Sequence, residues 1–322
     1  MKVNMSPRQP RRNITSSYRT LLFLTGTATG VLLMRTCDLS EHTRELFLLF
    51  PSTRNATNDE RLGDGCFHIF LDVGANIGVH GRFLFEPEKY PESKLATQTF
   101  DEQFGAQRDN RDFCTFEFEP NPTHVAKLNE NSEAYAAMGW KYNVLNVAAG
   151  DRDGSMTFYH NLDEEFGEWS FGVKKWTEEA RSISIPVIRL ADWLEEHIAS
   201  RKIPLKTHGE YAGGPKVVMK MDVEGTEFVM LPDLILSGAI CTVDYMFGEF
   251  HEGAAPLHFP GQDFSLEDVN QTSQLRGSLL DVIRSSRNCK TQFSVGDDEG
   301  YLLDGIPLPT PSGSTRVAAA YS

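Results

Sequence analysis

Short unbroken runs of apolar residues alternate along this chain with longer stretches in which apolar positions recur every three or four residues. The short runs predict strands buried on both faces, and the periodic stretches predict helices. Strands are predicted at residues 68–73 (HIFLDV), 113–118 (FCTFEF), 143–148 (NVLNVA), 217–221 (VVMKM) and 243–250 (VDYMFGEF). Helices are predicted at 123–138, with Val125, Leu128 and Ala136 on one face, and at 190–198, 226–236 and 279–284. Residues 155–160 alternate and predict one arm of a hairpin; 291–295 and 301–307 flank the turn sequence GDDEG and predict a second. Strand, helix, strand in this order predicts an α/β domain: a mostly parallel sheet, helices on both faces and a closing antiparallel hairpin. Such sheets bind ligands at the carboxyl ends of their strands, so the residues just after each strand carry the candidate chemistry.

The N-terminal pattern differs. No acidic residue precedes Asp38, and Lys2, Arg8, Arg11, Arg12 and Arg19 lead into an apolar stretch at 20–34 (TLLFLTGTATGVLLM). A helix there reaches roughly 22 Å, short of a ~30 Å hydrocarbon core; the thinner early-secretory membrane and the flanking Tyr18 and Cys37 make up the difference. The pattern reads as a single-pass signal anchor at 20–36 with residues 1–19 cytosolic, a stem at 37–64, and a folded domain at 65–322 in the secretory (Golgi or ER) lumen. A mitochondrial presequence is the second reading, because Arg and Ser without acid also fit it. A cleaved signal peptide lacks a small-x-small site, and a core helix would show a polar face. Asn55 and Asn270 head triplets that lumenal glycosylation would use. Residues 86–112 are polar, with Tyr90, Leu95, Phe100 and Phe104 as the available anchors. They read as an insertion forming a mobile cover over the acceptor side.

Composition narrows the function classes. Hydrophobic residues at 40% and charged residues at 24% are those of an ordinary globular protein, which excludes collagen-like, disordered and multi-span membrane chains. A net charge of −14 repels phosphate backbones and argues against nucleic acid as a partner. Five cysteines show no zinc-site spacing, and their odd number leaves at least one unpaired within the chain.

The strand ends supply the candidate chemistry. After the first strand come Asp72, Gly74, Ala75, Asn76 and Gly78, a turn whose glycines allow close approach to a ligand and whose amides are expected to point outward. Asn76 stands where a dinucleotide fingerprint has its second glycine, which disfavours a nicotinamide-dependent oxidoreductase. Glu119 ends the second strand, where a carboxylate can accept from both hydroxyls of a ribose or simply precede a helix. Asp151 follows the third, placed for an adenine amine or for a plain turn. The fourth ends in Asp222, Glu224 and Glu227 around Gly225, either capping a helix or walling a site. The fifth ends in Glu249 and His251, which share a face if the strand continues and could form an acid/base or a metal pair.

These motifs, FLDVGANIG (70–78), FEFEPNP (116–122), NVAAGDRDG (146–154), IPVIRLADWL (185–194), KMDVEGTEFVML (220–231) and GEFH (248–251), resemble those of the FkbM-type S-adenosylmethionine-dependent methyltransferases. The resemblance covers residues 67–252. It implies a class I methyltransferase (Rossmann-like) fold with seven strands, the last two an antiparallel hairpin, and O-methylation of a glycan or small molecule. Asp72, Gly74, Ala75, Asn76, Gly78, Glu119 and Asp151 would then hold S-adenosylmethionine. Asp222, Glu224, Glu249 and His251 are the candidates for deprotonating the acceptor, with His251 and Glu249 preferred and metal-free base catalysis favoured over a bound cation. A non-catalytic binding protein on the same fold is the alternative from another class.

Overall fold

The computed structural model describes residues 60–160, 171–255, 266–287, 289–296 and 305–311. The anchor and stem read at 20–64 lie outside them except for 60–64. Among the described residues no helix is long and apolar enough to cross a membrane. The described residues form nine strands: β1 (His68–Val73), β2 (Phe113–Phe118), β3 (Lys141–Leu145), β4 (Ala148–Gly150), β5 (Gly154–His160), β6 (Arg181–Arg189), β7 (Val217–Met221), β8 (Tyr245–Gly248) and β9 (Gln292–Val295). The helices are α1 (Val79–Phe85), α2 (Lys94–Phe104), α3 (Val125–Ala137), α4 (Leu190–Trp193, continuing as a π turn over Leu194–Ala199), α5 (Glu227–Ser237) and α6 (Leu266–Ser285).

The main sheet runs β3-β2-β1-β7-β8-β9 and every pairing in it is parallel. Its strands alternate between two cores. Ile69, Leu71 and Val73 join Phe116, Phe118, Met219 and Met221 on one face, under α4, α5 and α6. Phe70 joins Val218 and Phe247 on the other, under α1, α2 and α3. Both faces are covered, so β1, β2 and β7 are buried along their whole length and read as continuous apolar runs rather than alternating ones.

Five expectations change. The main sheet has six described strands rather than seven. The segment at 291–295 enters it as β9, parallel to β8, and not as a hairpin arm; the rest of that hairpin falls partly outside the described residues, and 305–311 forms no strand. The run at 143–148 is broken in two. Val147 N–H closes a tight turn on the Leu145 carbonyl, so β3 stays in the main sheet while β4 joins a separate sheet, β4-β6-β5, where β5 and β6 form the predicted hairpin. The buried stripe of α3 is Leu128, Asn131 and Tyr135, with Ala136 exposed.

The fifth change concerns residues 86–112, whose apolar stripe packs into the core instead of forming a cover. Tyr90, Ala96, Phe100 and Phe104 are buried. The Phe100 ring meets Phe70 edge-on at 4.9 Å, and Phe104 meets His68 and Phe113 at 5.0 and 4.9 Å. His68 and Phe113 begin β1 and β2, so α2 reaches the sheet end opposite the glycine turn. Aromatic residues at positions 100 and 104, one helical turn apart, outweigh the polar remainder.

Two disulfides, Cys66–Cys114 and Cys241–Cys289, each close a 48-residue separation. In the chain-entropy account each stabilises by about 4 kcal/mol.

Two outcomes are expected. Phe100→Ala should cost about 3–5 kcal/mol of unfolding free energy by chemical denaturation, whereas a loss below about 1 kcal/mol would return this segment to the surface. Titrating thiols in unfolded, unreduced protein should find no more than one of the five cysteines reactive.

Candidate functional site

At the carboxyl end of β1 the chain turns through residues 74–78 into α1. Gly74 has φ 88°, and a Cβ there would lie 1.7 Å from the Asp222 carbonyl oxygen. Glycine is required because the end of β7 lies against this turn. The turn's amides do not point outward as expected. Gly74 and Ala75 donate to the Phe118 carbonyl at 3.0 and 3.1 Å, and Asn76, itself left-handed at φ 51°, donates to Glu119 Oε2 at 2.7 Å. The turn is thereby tied to the end of β2.

Glu119 is the organiser of that end. Its Oε1 accepts from Asn121 N–H at 2.7 Å, with His124 Nδ1 at 3.5 Å, while Asn146 Nδ2 donates to its main-chain carbonyl at 2.8 Å. A carboxylate offers about four lone-pair directions, and the two backbone amides use two. Glu119 therefore keeps acceptor capacity at the sheet end where ligands of this fold class sit.

Beneath the turn runs a row of charged groups. Asp72 lies opposite Glu117 on β2 and opposite Lys220 on β7, and all three are buried. Asp72 bridges Lys220 Nζ and His80 Nδ1, each at 3.8 Å, so it supports the turn from below instead of lining its opening. Lys220 Nζ also donates to the Gly74 carbonyl at 2.8 Å and to Asp222 Oδ2 at 3.1 Å. Burial, reinforced by the neighbouring Asp72, pushes the Glu117 carboxyl well above the usual carboxylate range.

Beside the turn, β7 leads into an acidic loop. Glu227, fully buried at the start of α5, accepts from Val223 N–H at 3.0 Å, which is the helix-capping role that the sequence allows. The same oxygen lies 3.0 Å from His251 Nδ1, and Asp222 Oδ1 is 3.7 Å from that nitrogen. Glu224 stands in the left-handed region at φ 53°, with Gly172 against its Cβ. Ligating atoms of Asp222, Glu224 and His251 lie within 4.8 Å of one another, a set that could hold a metal ion.

Charge in this cluster is unequal. Burial raises Glu224 to about 7, helped by Asp222 and Glu227 and opposed by His251. Burial would lower His251, but the Glu227 hydrogen bond and the carboxylates of Glu224, Glu227 and Asp222 outweigh it and raise the imidazole to about 10. At neutral pH His251 is therefore an imidazolium and cannot take up a proton, while Glu224 is poised to do so.

Two predicted positions lie apart. β8 ends at Gly248, so Glu249 does not continue the strand. It is exposed and not among the converging groups. Asp151 follows β4 in the smaller sheet, where Arg152 Nη1 lies 3.6 Å from it. That placement gives no support to an adenine contact at the end of the third main strand. Gly78 caps α1 and Ala75 is buried in the turn. Lys220, Glu117 and His80 were missed as site residues. The available signal was a charged residue inside an otherwise unbroken apolar strand, VVMKM and FCTFEF.

A family model described as "Methyltransferase FkbM domain" matches residues 72–279. The search of curated proteins returned no match. Among solved structures, one of "Methyltransferase FkbM from Methylobacillus flagellatus KT" aligns at 15% identity and a TM-score of 0.27, covering 59% of this chain and 33% of that one. The chain thus spans about a third of that protein's length, and the family assignment rests on the domain match.

The buried ion pair is directly measurable. Titrating His251 by NMR should show an imidazolium persisting beyond pH 8, and Glu227→Gln should lower its midpoint by about one unit or more. A wild-type midpoint below 7 would mean that the pair does not form.

Proposed function

The chain belongs to the FkbM methyltransferase family, and from that premise we propose that it transfers a methyl group from S-adenosylmethionine to a hydroxyl oxygen of a glycan or small alcohol. The observation that carries the oxygen acceptor is Glu224, a carboxyl raised to about 7 on the loop that abuts the glycine turn. A hydroxyl is a weak acid and needs a base beside it, and a base is most effective when its pKa lies near the working pH.

When bound, the donor supplies an activated methyl on a cationic sulfonium, leaving as a neutral thioether. Glu119 fits such a molecule, because it retains acceptor capacity for ribose hydroxyls. Glu224 would receive the acceptor proton as the acceptor oxygen takes the methyl. His251, held charged by Glu227, fixes the carboxylates around it and keeps the cluster from repelling itself apart. The protein's contribution beyond the base is orientation, through a turn and a loop that share a backbone contact.

A bound divalent cation is the second reading, favoured by the convergence of Asp222, Glu224 and His251. We also place the domain in the secretory lumen behind the anchor read at 20–36. The two disulfides support an oxidising compartment.

The test is a screen for labelled methyl transfer onto glycans and small alcohols, with and without chelator. Transfer by the wild type should rise with pH through about 7 as Glu224 deprotonates. Glu224→Gln should lower it roughly 10²–10⁴-fold and remove that rise, with donor binding retained. If Glu224→Gln keeps the normal rate, the base assignment fails. Abolition by chelator, reversed by added metal, would replace base catalysis with the cation reading.

A further inference from the structure

Lys220 lies in the middle of the machinery and is not accounted for by packing. It is 1% exposed, in a strand whose other side chains are Val and Met. Burying an ammonium is costly, and an apolar side chain of similar volume commonly leaves a core as stable or more so. Three oxygens of the candidate site lie near it: the Gly74 carbonyl at 2.8 Å, Asp222 Oδ2 at 3.1 Å and Asp72 Oδ1 at 3.8 Å. Glu117 lies next in the row beyond Asp72, its carboxyl pushed up by burial, and the ammonium lies against the carboxyl groups of Asp72 and Asp222.

Resting on the donor reading above, we propose that Lys220 is a positioning residue for the donor: its ammonium pins the Gly74 carbonyl of the glycine turn to Asp222, and its charge offsets the two carboxylates under and beside that turn. The two roles have different signatures. Pinning the turn serves any ligand that occupies it, charged or neutral. The charge acts by sign: an ammonium repels a bound cation, the carboxylates attract it, and such interactions decay only with inverse distance. Removing the ammonium therefore weakens the donor and its demethylated product through the loosened turn. It also leaves Asp72 and Asp222 less compensated, which returns part of the loss to the cationic donor alone. The balance between sulfonium and thioether should shift toward the sulfonium.

Calorimetry of S-adenosylmethionine and S-adenosylhomocysteine against the full chain tests this, using wild type, Lys220→Met and Lys220→Arg with a thermal melt of each. Lys220→Met should weaken the product about tenfold or more and the donor less, shifting their affinity ratio by about threefold or more. Lys220→Arg, which keeps the charge, should restore that ratio. A folded Lys220→Met that binds both ligands within about twofold of wild type overturns the proposal. Equal weakening of both ligands also overturns it, since that is what packing alone would give. If Lys220→Met does not fold, Lys220→Gln, neutral but with an N–H for the Gly74 carbonyl, is measured in the same way; failure of both to fold makes the role structural and ends the idea. A wild type that binds neither ligand defeats the donor reading instead, which separates the two failures.

Discussion

The contact on which the site depends is between backbones. The turn after β1 lies so close to the end of β7 that no side chain fits at Gly74, and on the other side Gly248 meets the Met221 carbonyl in the same way. β7 is therefore held between two neighbours at its carboxyl end, where its chain must leave the sheet. The residues just beyond it, Asp222 to Glu227, cannot spread outward. They fold over a fully buried Glu227, and Glu224 takes a left-handed backbone that non-glycine residues avoid at a cost of about 1–3 kcal/mol. The acidic loop is dense because the strand ends around it are crowded.

Density of like charge in a poorly solvated place must be resolved, and this chain does so in two ways. Glu117 and Glu224 move toward their neutral forms. Asp72, Asp222 and Glu227 are instead matched by cations, Lys220 from within β7 and His251 from the segment after β8. Among these residues carboxyl groups outnumber cations, with Lys220 and His251 set against Asp72, Glu117, Asp222, Glu224 and Glu227. The same neighbours keep the His251 imidazole protonated at neutral pH. Its proton is stabilised by the carboxylates that a base would have to do without.

Residues 86–112 show how composition can mislead. Counted by residue type the segment is polar, but Phe100 and Phe104 lie one helical turn apart and close the second core over Phe70 and Phe247. Glu86, at the start of the segment, is buried as well, between Arg82, Lys89 and the Tyr135 hydroxyl. A few well-placed aromatic rings anchor this segment to the core while many of its polar residues stay at the surface, because each ring buries a large apolar area.

Much was legible from order along the chain. The strand runs β1, β2 and β7, the glycine turn, Glu119 and the acidic loop all stand where the periodicity put them, because a strand buried on both faces must be continuously apolar and the chain must turn where that run ends. The sequence by itself therefore determined the α/β class, the candidate sheet end and the family. Only the tertiary structure decided which charges meet. It set Lys220 beneath Gly74, gave His251 to Glu227 and left Glu249 exposed beyond the end of β8, and it put Asp151 after a strand of a second sheet by breaking the run at Val147. Proton affinity is set by burial and by neighbours distant in sequence, and local pattern carries information about neither.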